Sequence, residues 1–198
     1  MCQFLETIKL CDGQFSRLPL HQLRLENAMH DYYPSAIVPK LVDVLSAANF
    51  PLAGMYKCRV IFDSQVRLVE FHPYIHPTIQ SLKVIETDIS SLPYKMADRT
   101  GYQAVFAQRA NCDDVLLVKN GLLTDTSYCN IALFDGRNWI TPRVPLIKGV
   151  NRSQLIAEGV ILEDDIKMDD LMNFQHITLF NALNEFGSIK LDISSICQ

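Results

Sequence analysis

VLLVKNGLLTDTSYCNIALFDGRNWITP, residues 115–142, decides how this chain is read. Apolar and β-branched residues run through it, and Asn120-Gly121 and Asp135-Gly136 interrupt it. Asn-Gly and Asp-Gly steps reach the positive φ that tight type I′ hairpins need. The stretch therefore predicts a three-strand meander. Downstream, Gly149 to Glu158 reads as a glycine turn entering a helix. Residues 169–172 read as a further short helix, and HITLFNAL (176–183) as a strand ending in a polar turn. Upstream, 98–110 reads as helical, and DISSLPY (88–94) as a polar, proline-bearing linker.

The chain before that linker is built the same way. QFLETIKL (3–10) reads as a strand stopped by Cys11-Asp12-Gly13. Pro19 opens a helix whose apolar face carries Leu20, Leu23, Leu25 and Ala28, and Pro34 interrupts it. Residues 36–48 predict a second helix with Pro39 in its first turn. MYKCRVIF (55–62) and VRLVEFHPY (66–74) form a hairpin across Asp63-Ser64-Gln65, and SLKVIET (81–87) is a third run. The expectation is a mixed α+β chain in two halves. Residues 1–87 make an N-terminal α/β domain, 88–94 the linker and 95–198 a C-terminal domain.

Composition narrows the function. Of 198 residues, 48% are apolar and 20% charged, enough to bury a core and too apolar for a disordered chain. A net charge of −4 argues against nucleic acid as partner, since such binders carry a basic excess. No apolar run approaches the ~18–20 residues that cross a bilayer. Glu6 and the missing basic lead-in argue against a secretory signal. Six cysteines, at 2, 11, 58, 112, 129 and 197, form no CxxC pair and read as reduced thiols of a cytoplasmic protein. His72 and His76 are each followed by proline, so they share no regular helical face, and no metal site is expected.

Four features carry chemistry, each with an ordinary alternative. Lys95 in YKMADR is one of nine lysines, and a lone lysine is normally a solvated charge. GVNRSQ (149–154) begins a helix with glycine, where free N–H groups and the helix dipole favour an anion such as phosphate. Asp125 is an acid among strand residues, either on an exposed face or buried with a partner. Arg24 is a helix surface residue unless its guanidinium fork meets a phosphate.

In order along the chain, FLETIKLCDGQF, HQLRLENA, YKMADR, DDVLLVKNGLLTDTSYCNIALFDG, WITPRVPLIKGVNR and LFNALNEF resemble the class IV aminotransferase family. The similarity runs from about residue 4 to residue 190. It implies a two-domain fold-type IV enzyme, D-amino acid aminotransferase-like, that uses pyridoxal 5′-phosphate (PLP) on a small amino substrate and works as a homodimer. By the resemblance, Lys95 is the Schiff-base lysine and the proton carrier at the substrate carbon. Arg24 grips the cofactor phosphate, as do the backbone amides of Gly149, Val150 and Asn151. Asn181 and Ala182 lie on the far side of the phosphate. Asp125 faces the pyridine nitrogen, framed by Thr124 and Asn130.

The departures matter too. Aspartate at 125 replaces the family's usual glutamate. Ala182 replaces a hydroxyl residue and offers only backbone. Arg99, four after Lys95, follows a lyase-like K-x-x-N-R pattern with Asp98 in place of asparagine. The tyrosine of branched-chain aminotransferases is Thr100 here. The start lacks a leading segment of ~20–30 residues common in the family, which leaves the substrate pocket undefined; Arg59, Arg67, His72 and Tyr74 are its only clamp candidates. Two activities stay open: elimination of pyruvate from 4-amino-4-deoxychorismate, toward which the pattern leans, and amino-group exchange with a 2-keto acid. A PLP-free binding relative is the non-enzyme alternative.

Overall fold

The computed structural model describes residues 2–197 and falls into two units. The first holds the chain up to His76 together with Tyr94–Asp98; the second holds Pro77–Pro93 and the chain from Arg99 onward.

In the first unit, β1 (Phe4–Cys11) is the strand read from QFLETIKL. Asp12 and Gly13, both at positive φ (47° and 76°), turn it into the short β2 (Gln14–Phe15). Helix α1 (Leu18–Tyr32) has proline in its first turn, as expected. Its buried Leu25, Ala28 and Met29 pack on Phe4 and Ile8 of β1. Helix α2 (Leu41–Ser46) is much shorter than the predicted 36–48. The residue before a proline is pushed out of the helical region, so Pro39 defers the start. The first free N–H, that of Leu41, is then met by the Gln22 side chain of α1 at 2.7 Å. Strands β3 (Met55–Phe62) and β4 (Val66–Pro73) form the expected hairpin, and all four strands pair antiparallel in the order β2-β1-β3-β4.

The second unit contains β5 (Leu82–Glu86), α3 (Thr100–Phe106), β6 (Asp114–Lys119), β7 (Leu122–Thr126), β8 (Asn130–Phe134) and β9 (Trp139–Pro142). The predicted three-strand meander therefore has four strands. Asn120 and Gly121 both take positive φ (52° and 75°), as a type I′ turn requires. The Asp135-Gly136 turn differs. Only Gly136 is at positive φ, and the Asp135 carboxylate accepts from the N–H groups of Arg137 and Asn138 at 2.7 and 2.6 Å. That side-chain bond builds a longer loop. Helix α4 (Val150–Ala157) follows, then β10 (Leu162–Asp164), a 3₁₀ turn (Met168–Asn173), β11 (His176–Phe180), β12 (Ile189–Asp192) and β13 (Ile196–Cys197). The nine strands run β10-β9-β8-β7-β6-β5-β13, with β11 beside β8 and β12 beside β11. Leu116, Val118, Ile131, Leu133, Ile177 and Leu179 fill the largest core.

The expected division at 88–94 and the observed one differ at three points. Residues 81–87 were placed in the first half, but β5 pairs in parallel with β6 from Leu82–Asp114 to Glu86–Val118. A parallel partner thirty-two residues away leaves no local signal. The stretch 88–94 is also tied down: Lys119 Nζ donates to the Ile89 carbonyl at 2.8 Å, and Leu92 N–H to the Leu146 carbonyl at 2.9 Å. Lys95 in turn belongs to the first unit. Leu5 N–H donates to its carbonyl, and Ala97 N–H to that of Gln3, each at 2.8 Å, so this segment meets the start of β1 in an isolated antiparallel bridge between Phe4 and Met96.

Gly121 tests the turn in isolation. A Cβ there meets nothing within 4 Å, so only its φ of +75° opposes a side chain. Gly121→Ala should cost about 1–2 kcal/mol of unfolding free energy, read from the denaturant midpoint at unchanged m-value.

Candidate active site

In the first unit, two adjacent residues of β1 hold the two cations expected there. Glu6, 2% exposed, accepts from Arg24 Nε at 2.7 Å and from Nη2 at 2.6 Å, a two-bond fork from α1. His21 of α1, fully buried, places Nδ1 2.5 Å from the same carboxylate. Burial works to raise the Glu6 pKa, but the Arg24 charge and the hydrogen bonds of His21 and Arg24 outweigh it and hold it at about 2. Burial lowers the His21 pKa, against the pull of the Glu6 carboxylate that Nδ1 faces. Thr7 points to the opposite face of the strand, as alternation requires. Its Oγ1 accepts from Lys95 Nζ at 2.9 Å.

In the second unit, Asp125 of β7 is the centre. Burial raises its carboxyl to about 6, against hydrogen bonds from Asn130, Ile147 and Leu146. Oδ1 accepts from Asn130 Nδ2 at 2.7 Å, and Oδ2 from the Leu146 and Ile147 N–H groups at 2.6 and 3.1 Å. Asn130 also donates to the Ile147 carbonyl at 2.8 Å. A Cβ on Gly149 would lie 2.1 Å from Asn130 Oδ1, while the Gly149 φ of −70° is open to any residue. Glycine stands at 149 for space, not for conformation.

Helix α4 begins at Gly149 with no side-chain cap, which leaves its first-turn N–H groups available to an anion. Asn151 Nδ2 donates to the Asn181 carbonyl at 2.9 Å and joins this helix start to the end of β11. The Asn181 side chain is spent locally: Oδ1 accepts from the Leu183 and Asn184 N–H groups, and Nδ2 donates to the Tyr128 carbonyl. The structure thus brings Gly149, Val150, Asn151, Asn181 and Ala182 together beside Asp125 and Asn130 in one unit. Arg24 and Lys95 both belong to the other, held by adjacent residues on opposite faces of β1.

Glu6, Thr7 and His21 were not recognised from sequence. The signal was present for Glu6: it alternates with Phe4 and Ile8 on the face that packs against α1, and a lone carboxylate on such a face needs a buried cation. Among the clamp candidates, Arg59 is taken by Glu70 at 2.5 Å and Arg67 by Asp63 at 2.7 Å.

Comparison with known proteins agrees with this architecture. The family described as "Amino-transferase class IV" matches residues 77–191, more than half of the chain. An uncharacterized protein of Haemophilus influenzae is 30% identical over 187 residues, which are 93% of this chain and 99% of that protein. A solved structure from Haemophilus somnus, a "putative 4-amino-4-deoxychorismate lyase", superposes with a TM-score of 0.85 at 26% identity, over 93% of this chain and 98% of that one. A "putative amino-acid aminotransferase" from Mesorhizobium loti gives 0.78 at 22% identity, over 97% and 99% of the two chains, a likeness of fold.

The chain belongs to the class IV amino-transferase family, and with it to the PLP-dependent enzymes. Its residues suit that cofactor by the chemistry of their groups: an amine for the carbonyl, a buried carboxylate for the ring nitrogen, an uncapped helix start and a guanidinium for the phosphate.

The Glu6 cluster has a definite acid signature. An ordinary glutamate titrates near ~4.3. With its folded value depressed to about 2, Glu6 gives stability that is full above the ordinary value and lost as pH falls from there toward 2. Glu6→Gln should remove that acid limb and cost roughly 3–5 kcal/mol near neutrality, because Arg24 is left buried without its counter-charge. Denaturant midpoints followed across acid pH check both parts.

Proposed function

We propose that this protein is a PLP-dependent lyase that splits 4-amino-4-deoxychorismate into 4-aminobenzoate and pyruvate, a step of folate synthesis in the cytoplasm. The observation that carries the reading is the likeness over nearly the whole of both chains to the Haemophilus somnus protein of that description. A second relative supports it: a "putative aminodeoxychorismate lyase" of Schizosaccharomyces pombe is 34% identical over 100 residues, 46% of this chain and 43% of that one. Arg99 and Asp98, in the lyase-like pattern after Lys95, point the same way.

The roles follow from the groups. Lys95 would hold the cofactor through its carbonyl, and its amine would carry the proton at the amine-bearing carbon of the substrate. Thr7 holds the lysine amine between these tasks. Arg24, fixed by Glu6, and the first-turn amides of Gly149, Val150 and Asn151 hold the phosphate, with Asn181 and the Ala182 backbone on its far side. Asp125 would keep a proton on the ring nitrogen of the cofactor. Its carboxylate has room for about four hydrogen bonds, and three are used within the chain. When bound, PLP supplies an electron sink for the charge that develops on the substrate carbon.

Purified protein should be yellow, with a near-visible absorbance band that Lys95→Ala abolishes. A colourless wild type that PLP does not restore contradicts the cofactor role. Incubation with 4-amino-4-deoxychorismate should release 4-aminobenzoate and pyruvate in equal amounts. Amino-group exchange between an amino acid and a keto acid, without 4-aminobenzoate, would instead make it a transaminase. The working form in this reading is a homodimer, and light scattering should give twice the mass of one chain.

A further inference from the structure

Arg99 sits at the N-cap of α3, and its guanidinium has an unusual set of neighbours. Its central carbon lies 3.4 Å from the centroid of the Tyr102 ring. Nη2 donates to the Ser127 carbonyl at 3.1 Å. The ion pairs of the second unit occupy Arg143 and Arg152; among the described residues none is made by Arg99. The Tyr102 hydroxyl is also buried, on a residue 7% exposed, and has no hydrogen-bond partner among the described residues. Burial pushes the Tyr102 pKa up to about 12, so the hydroxyl stays a neutral donor.

A guanidinium offers five N–H donors, and one carbonyl with one ring face satisfies few of them. A partly buried cation without a counter-ion is costly, and so is a buried hydroxyl without an acceptor. Both deficits lie on one turn of one helix. The hydrogen bonds of Asp125 run to Asn130, Leu146 and Ile147 and not to Arg99. A planar anion with two oxygens answers both needs: one edge meets the guanidinium fork, and an oxygen accepts from the phenol.

We propose that Arg99 and Tyr102 form a receptor for a substrate carboxylate, which selects amino acids and dicarboxylates over amines without an acid group. The assignment rests on reading the protein as an enzyme of amine-bearing acids. Arg99 is then a specificity-determining residue, distinct from those assigned to the cofactor. Tyr102 has two tasks: its ring supports the guanidinium, and its hydroxyl donates the third hydrogen bond.

The test is calorimetric titration of the full-length protein with succinate, with PLP uptake followed separately by near-visible absorbance. Wild type should bind succinate, and Arg99→Gln should bind it about 10- to 100-fold more weakly, the range for losing a charge-assisted partner. Tyr102→Phe should fall in the same direction by less. Arg99→Lys, which keeps the charge and lacks the fork, should lie between wild type and Arg99→Gln, and it decides the matter if the glutamine variant does not fold. PLP uptake should be equal in all of them. Wild type that ignores succinate, variants that bind it as wild type does, or an Arg99→Gln protein that loses PLP uptake would each overturn the receptor. Failure of wild type to take up PLP counts against the enzyme reading instead, since the succinate titration needs no cofactor.

Discussion

The second unit is organised around one buried carboxylate. Asp125 and Asn130 face each other across β7 and β8, and from there the two side chains reach three backbone groups of Leu146 and Ile147. Those bonds fix the segment that leads into Gly149, and Gly149 must lack a Cβ because Asn130 fills that space. A charge removed from water needs donors, and their number here sets where the helix α4 can start. The uncapped start of α4 and the buried acid are therefore a single construction. Aspartate in place of glutamate at 125 is consistent with it, since the shorter side chain still reaches both N–H groups.

The first unit follows a similar rule with opposite charge. Arg24 is aimed by Glu6, and Glu6 is kept ionised by Arg24 and His21, so neither member is stable in its position without the others. Lys95 reaches the same sheet by backbone pairing with β1 and not through the elements that follow it in sequence. Sequence neighbours on either side of residue 98 thus belong to different units.

Much of the architecture was legible where the signal is local. The β3–β4 hairpin, the Asn120-Gly121 turn and the α4 start all rest on short-range chemistry, and they lie where periodicity and turn residues put them. The parallel β5–β6 pair was not legible, because its partners are far apart in the chain. The short β10, β12 and β13 carry too few residues for a period to register. In α2 a proline-tolerant reading lost to the restriction that Pro39 places on its predecessor. At the site, the resemblance supplied the residues expected to touch a ligand, while Glu6, Thr7 and His21, which hold two of them, emerged only from the packing.

Adjacent placement of Glu6 and Thr7 on β1 has a consequence for how this strand can change over time. Opposite faces of one strand are addressed by odd and even positions. A one-residue slip of β1 against β3 would turn the carboxylate toward the lysine and the threonine toward the arginine. The two cations would then exchange anchors, one gaining a charge partner that suppresses its reactivity and the other losing its own. A one-residue shift within β1 thus disturbs both anchors at once, whereas a side-chain change at one position disturbs only its own partner.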